Sequence, residues 1–242
     1  MPLFRCMAEK ELYMIKGLTE EEKFKVIRPV IGGCEYDAYR IPIINRTLVD
    51  AIDWEKLKIS GYQNASANTF NKNTLLLMFN YDKRLLSLWG NPLKKIGLFQ
   101  SYAAVATPDF SIYPTMNIND IRHNVYMSRW LGKTWQNYGC IVLPTIGWAL
   151  EDTYDLCFGN VESQSVVIIS TLGCQEHTDI FLAGFNEMKK RIAPSLIIVF
   201  GDMVDGMTGT FVNYRYKDSF NVKYEQMRFE CLSPIFTIKE DV

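Results

Sequence analysis

Histidine is nearly absent from this chain: 242 residues contain two, His123 and His177. Six cysteines, Cys6, Cys34, Cys140, Cys157, Cys174 and Cys231, are scattered without a CxxC pair. A structural zinc site takes four closely spaced thiolate or imidazole ligands, and that spacing is missing. Three of the cysteines lie beside apolar runs, so they read as buried reduced thiols in a reducing compartment. No apolar run exceeds strand length, so no segment is expected to span a membrane. The start, MPLFRCMAEKELYMIKG, is charged too early for a secretory leader, and a cytoplasmic location is expected. An excess of either charge is missing too. Lys and Arg number 26 against 27 Asp and Glu, a net of −1, which excludes a strongly basic nucleic-acid coat. There is no Walker-type phosphate loop and no glycine-rich dinucleotide turn opening a helix.

What is present is ordinary folded-protein stock. Apolar residues make up 48% and charged residues 22%, the balance of a soluble globular chain. A chain of this length removes roughly 70–75% of its unfolded surface from water, so its core needs no metal or disulfide.

From residue 75 the sequence alternates regularly. Leu75–Phe79, Ala103–Ala106, Cys140–Leu143, Val166–Ser170 and Leu196–Phe200 are short continuous apolar runs. Helical spacing fills Lys83–Phe99, Asn119–Tyr138, Glu151–Phe158 and Thr178–Ile192. Runs without polar alternation suit strands buried on both faces of a parallel sheet, and the repeat length suits βα units with right-handed crossovers. The expectation is an α/β fold with a mainly parallel sheet, either open or an incomplete barrel. An eight-stranded barrel would need about 250 residues. Residues 1–73 read as an irregular N-terminal lobe packed on the main domain. In it, Thr19–Lys25 reads as a charged helical turn, Val30–Cys34 and Tyr39–Ile44 as short strands, and Asn64–Asn73 as a polar loop. Residues 74–242 read as the α/β domain, with Thr210–Tyr216 and Ile235–Lys239 forming a C-terminal hairpin or edge strands.

In parallel α/β sheets, ligands bind beyond the carboxyl ends of the strands, where loops and helix N-termini gather. Carboxylates follow those ends at Asp82, Asp109, Glu151, Asp152 and Asp202. Several carboxylates around one space suit acid/base work or a divalent metal ion, and Asp109, Glu151 and Asp202 are the candidate catalytic residues. Part of this pattern is what helix capping alone produces. Asp109 is the least so, because a long stretch separates it from its helix. Ser111, Tyr113, Arg129 and Trp148 are candidate ligand contacts. Ser170, Thr171 and Gly173 form a turn of anion-binding type, although Ser and Gly are common at helix starts. Cys174 and His177 lack a third orienting group, which argues against a nucleophile pair. Basic residues interleave with aromatics in Asn119–Tyr138, but at the spacing of a packed helix face.

The string from Phe79 to Gly201, half the chain, also carries a resemblance. Its pieces are Trp89 with Asn91-Pro92, Pro108-Asp109-Phe110-Ser111 with Tyr113, Arg129 with Leu131-Gly132, and Gly139 before a strand ending in Pro144. They continue through Trp148, Glu151 to Tyr154, Phe158-Gly159, Ser165 to Thr171 with Gly173, Phe181 to Met188, Arg191, Pro194 and Phe200-Gly201. In this order they resemble the uncharacterised domain-of-unknown-function family four-four-one-seven of phages, prophages and mobile elements. The resemblance implies such an origin and no established activity.

Two functions are therefore expected to compete. One is a phage or mobile-element accessory protein whose pocket at the strand ends binds or acts on a nucleotide or nucleic acid. The other is a non-catalytic protein that binds a host defence or replication protein through loops such as Asp202–Gly209 and Asn64–Asn73.

Overall fold

The chain is represented by a computed structural model that describes residues 28–67, 69–215 and 235–239. Its strands are β1 (Lys58–Gly61), β2 (Thr74–Leu77), β3 (Ala104–Ala106), β4 (Val142–Leu143), β5 (Val166–Ser170), β6 (Leu196–Phe200), β7 (Gly209–Tyr214) and β8 (Ile235–Lys239). The helices are α1 (Asp82–Gly90), α2 (Ile96–Phe99), α3 (Ile118–Asn137), α4 (Tyr154–Phe158) and α5 (Thr178–Ile192). Strands β1 to β4 form one parallel sheet in sequence order, and β5 to β7 form a second, with β8 added antiparallel to β7. A parallel bridge between Thr145 and Ile168 joins the two. The Ile146 amide donates to the Ile168 carbonyl at 2.7 Å there, and the Ile168 amide to the Pro144 carbonyl at 2.9 Å.

The sheet coils on itself. Phe79, just past β2, stacks on Phe200 at the end of β6, with ring centroids 5.0 Å apart. The buried Tyr214 hydroxyl at the end of β7 donates to the Leu57 carbonyl before β1 at 3.1 Å. No ladder joins β7 to β1 among the described residues, so the barrel is incomplete. Alternation along the second sheet shows its two faces. Val166, Ile168, Leu196, Ile198, Phe200, Val212 and Tyr214 share an inner core with β1 to β4. Val167, Ile169, Ile197, Val199 and Phe211 pack outward among residues of α4 and α5. Apolar runs without alternation arise because both faces are covered.

Helix α3 begins where its cap dictates: the Asn117 side chain accepts from the Asn119 amide, with Asp120 in the first turn. Gly139, at φ +86°, turns the chain after it. At Gly132 the helix lies so close to β3 that a Cβ would stand 2.5 Å from the Thr107 methyl.

Three expectations change. The helical reading of Lys83–Phe99 breaks into α1 and α2, because Pro92 forces Asn91 to φ −139°, ψ 72°. Val30–Cys34 and Tyr39–Ile44 form no strands. Asp37 draws the intervening chain into a turn by accepting the Tyr39 and Ile41 amides, leaving single bridges, Tyr36 to Pro42 and Ile44 to Val161. The Asn64–Asn73 loop holds a 3-10 turn over Thr69–Asn73. Within residues 1–73, β1 pairs in parallel with β2. Thr19–Lys25 lies outside the described residues.

Candidate functional site

Four neighbouring parallel strands, β2 to β5, end on one side of the molecule, and their exits enclose a cleft of about 430 Å³. After β2 it is lined by Phe79 to Asp82, after β3 by Asp109 to Tyr113, after β4 by Ile146 to Trp148, and after β5 by Ser170 and Leu172. That volume suits a small-molecule ligand or one nucleoside-sized group.

Of the residues singled out from sequence, Asp109, Ser111, Tyr113, Trp148 and Ser170 line this cleft together. Asp82 joins them, its carboxylate accepting the Ser111 amide at 3.1 Å. The remainder lie elsewhere. Glu151 sits in an exposed 3-10 turn, and Asp202 is exposed beyond β6. Gly173 occupies an exposed turn at φ +75°. Thr171 is buried with its hydroxyl against Gly201, whose missing Cβ would stand 2.2 Å from it. The Ser170 hydroxyl accepts the Leu172 amide at 3.2 Å and lies 3.3 Å from the Phe200 carbonyl, fixing that turn.

Arg129 does not reach the cleft, yet it organises it. The guanidinium is buried and donates to Asn160 Oδ1 at 2.5 Å, to the Thr145 carbonyl at 2.9 Å and to the Ser128 hydroxyl at 3.2 Å. Longer bonds reach the Thr107 hydroxyl and the Cys157 carbonyl, both at 3.4 Å. Thr107 and Thr145 also bond each other, amide to hydroxyl and hydroxyl to carbonyl, both at 2.9 Å. One buried cation thus ties the exits of β3 and β4, which carry Asp109 and Trp148. Burial holds its pKa down to about 10, while Cys157, Asp109 and Asp37 favour the charged form.

Asp109 has the opposite bias. Its carboxyl is raised to about 7, chiefly by burial and then by the Asp82 charge, with Arg129 acting in the opposite direction. A carboxyl that changes charge near neutrality, in a cleft and beside a second carboxylate, can donate or accept a proton or a hydrogen bond at physiological pH. The walls are aromatic. Trp148 leans on Phe181 and Phe158, with centroids 5.3 and 5.9 Å away, and it covers Gly184 so closely that a Cβ there would stand 2.2 Å from the indole. Tyr81 and Tyr113 stand at the mouth, 70% and 58% exposed. Among the described residues no group of three or more His, Cys, Asp or Glu gathers as metal ligands. Asp82 and Asp109 are the two carboxylates of the cleft lining.

Sequence reasoning gave no role to Asn80 and Tyr81, or to Gln63 behind them. Asn80 donates to the Gln63 side-chain oxygen at 3.0 Å and accepts the Tyr81 amide at 2.9 Å. The signal for Asn80 and Tyr81 was their position immediately after a strand. For Gln63 there was none.

Among known proteins, a family model described as a domain of unknown function (DUF4417) matches residues 35–217. The Gene 1 protein of Mycobacterium phage L5 is 34% identical over 191 residues, covering 76% of this chain and 81% of that protein. The Gene 1 protein of Mycobacterium phage D29 is 31% identical over 189 residues, covering 76% and 68%. No solved structure matches. No described helix is long and apolar enough to cross a membrane.

Proposed function

The chain belongs to the DUF4417 family and is similar to the Gene 1 proteins of two mycobacteriophages, and from there we propose that its strand-end cleft binds a nucleotide or nucleic-acid base. The observation that carries this reading is the joint placement of Trp148, Tyr81, Tyr113, Asp82 and Asp109 around one cleft of nucleoside size. A base has a flat face for an aromatic wall and an edge of N–H donors and nitrogen acceptors. Stacking on an aromatic side chain contributes about 1–3 kcal/mol per base. The Asp82 carboxylate accepts from an edge N–H, and the protonated Asp109 carboxyl donates to a ring nitrogen or carbonyl. As the proton leaves Asp109 near pH 7, the same group serves as acid or base toward the bound ligand.

Titration calorimetry with the common nucleosides, mononucleotides and short oligonucleotides tests it. Binding that weakens by tenfold or more in Trp148→Ala and changes its pH dependence in Asp109→Asn supports the reading. Absence of binding by every one of these ligands at millimolar concentration overturns it.

A further inference from the structure

The cleft lining contains two carboxylates and no Lys, Arg or His. A phosphate would be repelled inside it, so a nucleotide that enters must do so by its base and leave its phosphate outside. The mouth is electrically lopsided. Past β4, β5 and β6 the exposed carboxylates are Glu151, Asp152, Glu176, Asp179, Asp202 and Asp205, with His177 beside them and no Lys or Arg in the same connections. Past β2, Lys83 and Arg84 follow directly on the cleft residues Tyr81 and Asp82 in the first turn of α1. Both are exposed, and neither forms an ion pair among the described residues. Cations there oppose the helix dipole, so local helix stability does not explain them. The aromatic surface also exceeds what one base can cover. Trp148 lines the interior, whereas Tyr81 and Tyr113 stand more than half exposed at the mouth.

We propose that the ligand is a single-stranded polynucleotide. One base enters the cleft, neighbouring bases stack on Tyr81 and Tyr113, and the sugar–phosphate backbone leaves along Lys83 and Arg84, away from the acidic side. This deepens the base-binding reading and rests on it. Taking one base out of a strand into a pocket is how proteins reach a base that stacking would otherwise hide. The backbone is gripped only by exposed cations, so the extra affinity of a strand over a mononucleotide is electrostatic and salt-sensitive. Each phosphate neutralised on a single strand contributes about −0.7 to the slope of log affinity against log salt. Two contacts give a slope of about −1.4, or about a sevenfold loss between 50 and 200 mM salt.

The test compares mononucleotides with fluorescein-labelled ten-residue DNA and RNA strands, single and duplex, on the full chain. The expected result is that single strands bind at least fivefold more tightly than the matching mononucleotide or duplex. The double variant K83E/R84E should remove that advantage and lower the salt slope by about 1.4, leaving mononucleotide affinity unchanged. Tyr81→Ala and Tyr113→Ala should each weaken strand binding about fivefold more than they weaken mononucleotide binding. A preference between DNA and RNA identifies the strand's sugar. Mononucleotides that bind as tightly as strands, or a double variant with full strand affinity, overturn this proposal and leave base binding standing. Failure of all of these ligands overturns both.

Discussion

Asp82 and Asp109 leave neighbouring parallel strands and line one cleft, and the Asp82 charge joins with burial to raise the Asp109 carboxyl to about 7. In the unfolded chain the same carboxyl titrates near 4. Between those two pH values the folded state holds a proton that the unfolded state has released, so stability falls as pH rises from 4 to 7. Below that window both states are protonated and no penalty exists; above it the penalty is constant. The full shift would amount to on the order of 4 kcal/mol, and the partial exposure of Asp109 reduces that to about 1–2. Asp109→Asn should therefore raise the melting temperature at pH 8 and leave it nearly unchanged at pH 4. Thermal unfolding at both values checks this, and an equal effect at the two would contradict it.

Arg129 is buried with donors committed to Asn160, Ser128, Thr107, Thr145 and Cys157. Arg129→Met should cost about 3–5 kcal/mol, because it leaves Asp109 without its compensating cation and several acceptors without donors. Arg129→Lys keeps the charge but not the fork, and should recover less than half of the loss. Urea unfolding of the three proteins gives the values.

Gly184 lies beneath Trp148. Ala would favour helix α5 by about 1 kcal/mol over Gly, but its Cβ would stand 2.2 Å from the indole, and overpacking of this kind costs about 1–3 kcal/mol. The clash should win, so Gly184→Ala lowers stability and turns the ring into the cleft. In the Trp148→Leu background the rigid ring is gone, and the same substitution should become neutral or stabilising. Near-ultraviolet circular dichroism and melting temperatures of the four proteins report both effects.

A similar contest arises at Gly132, where a new Cβ would meet the Thr107 methyl at 2.5 Å and Ile44 at 3.0 Å. Gly132→Ala should destabilise by about 1–3 kcal/mol. Thr107→Ser removes the methyl but keeps the hydroxyl that bonds Thr145 and Arg129. Combined with Gly132→Ala, it should therefore restore part of the loss. A double-mutant cycle showing simple additivity would place the strain elsewhere.

Much of this architecture could be read directly. Val166–Ser170, Thr178–Ile192 and Leu196–Phe200 fall where apolar continuity and helical spacing put them, because each is long enough for its period to show. Short elements were less legible. The four-residue β1 looks like loop in isolation and becomes a strand only through its pairing with β2. Pro92 inside an otherwise helical pattern was the visible sign that Lys83–Phe99 could not continue unbroken. Among the site candidates, Asp109, Ser111, Tyr113, Trp148 and Ser170 come together because they follow adjacent strands in register. Glu151 and Asp202 also follow strands, yet their turns face solvent, and a turn's direction depends on what packs beneath it.

The sequence alone determined the layering. Apolar runs too short for helices and too continuous for half-exposed strands must be covered on both faces, and helices spaced between them are the available cover. Only the tertiary structure decided which carboxylate acquires an unusual proton affinity. Desolvation and like-charge repulsion depend on distances between groups far apart along the chain, and no periodicity encodes that Asp82 and Arg129 act on Asp109 from opposite directions.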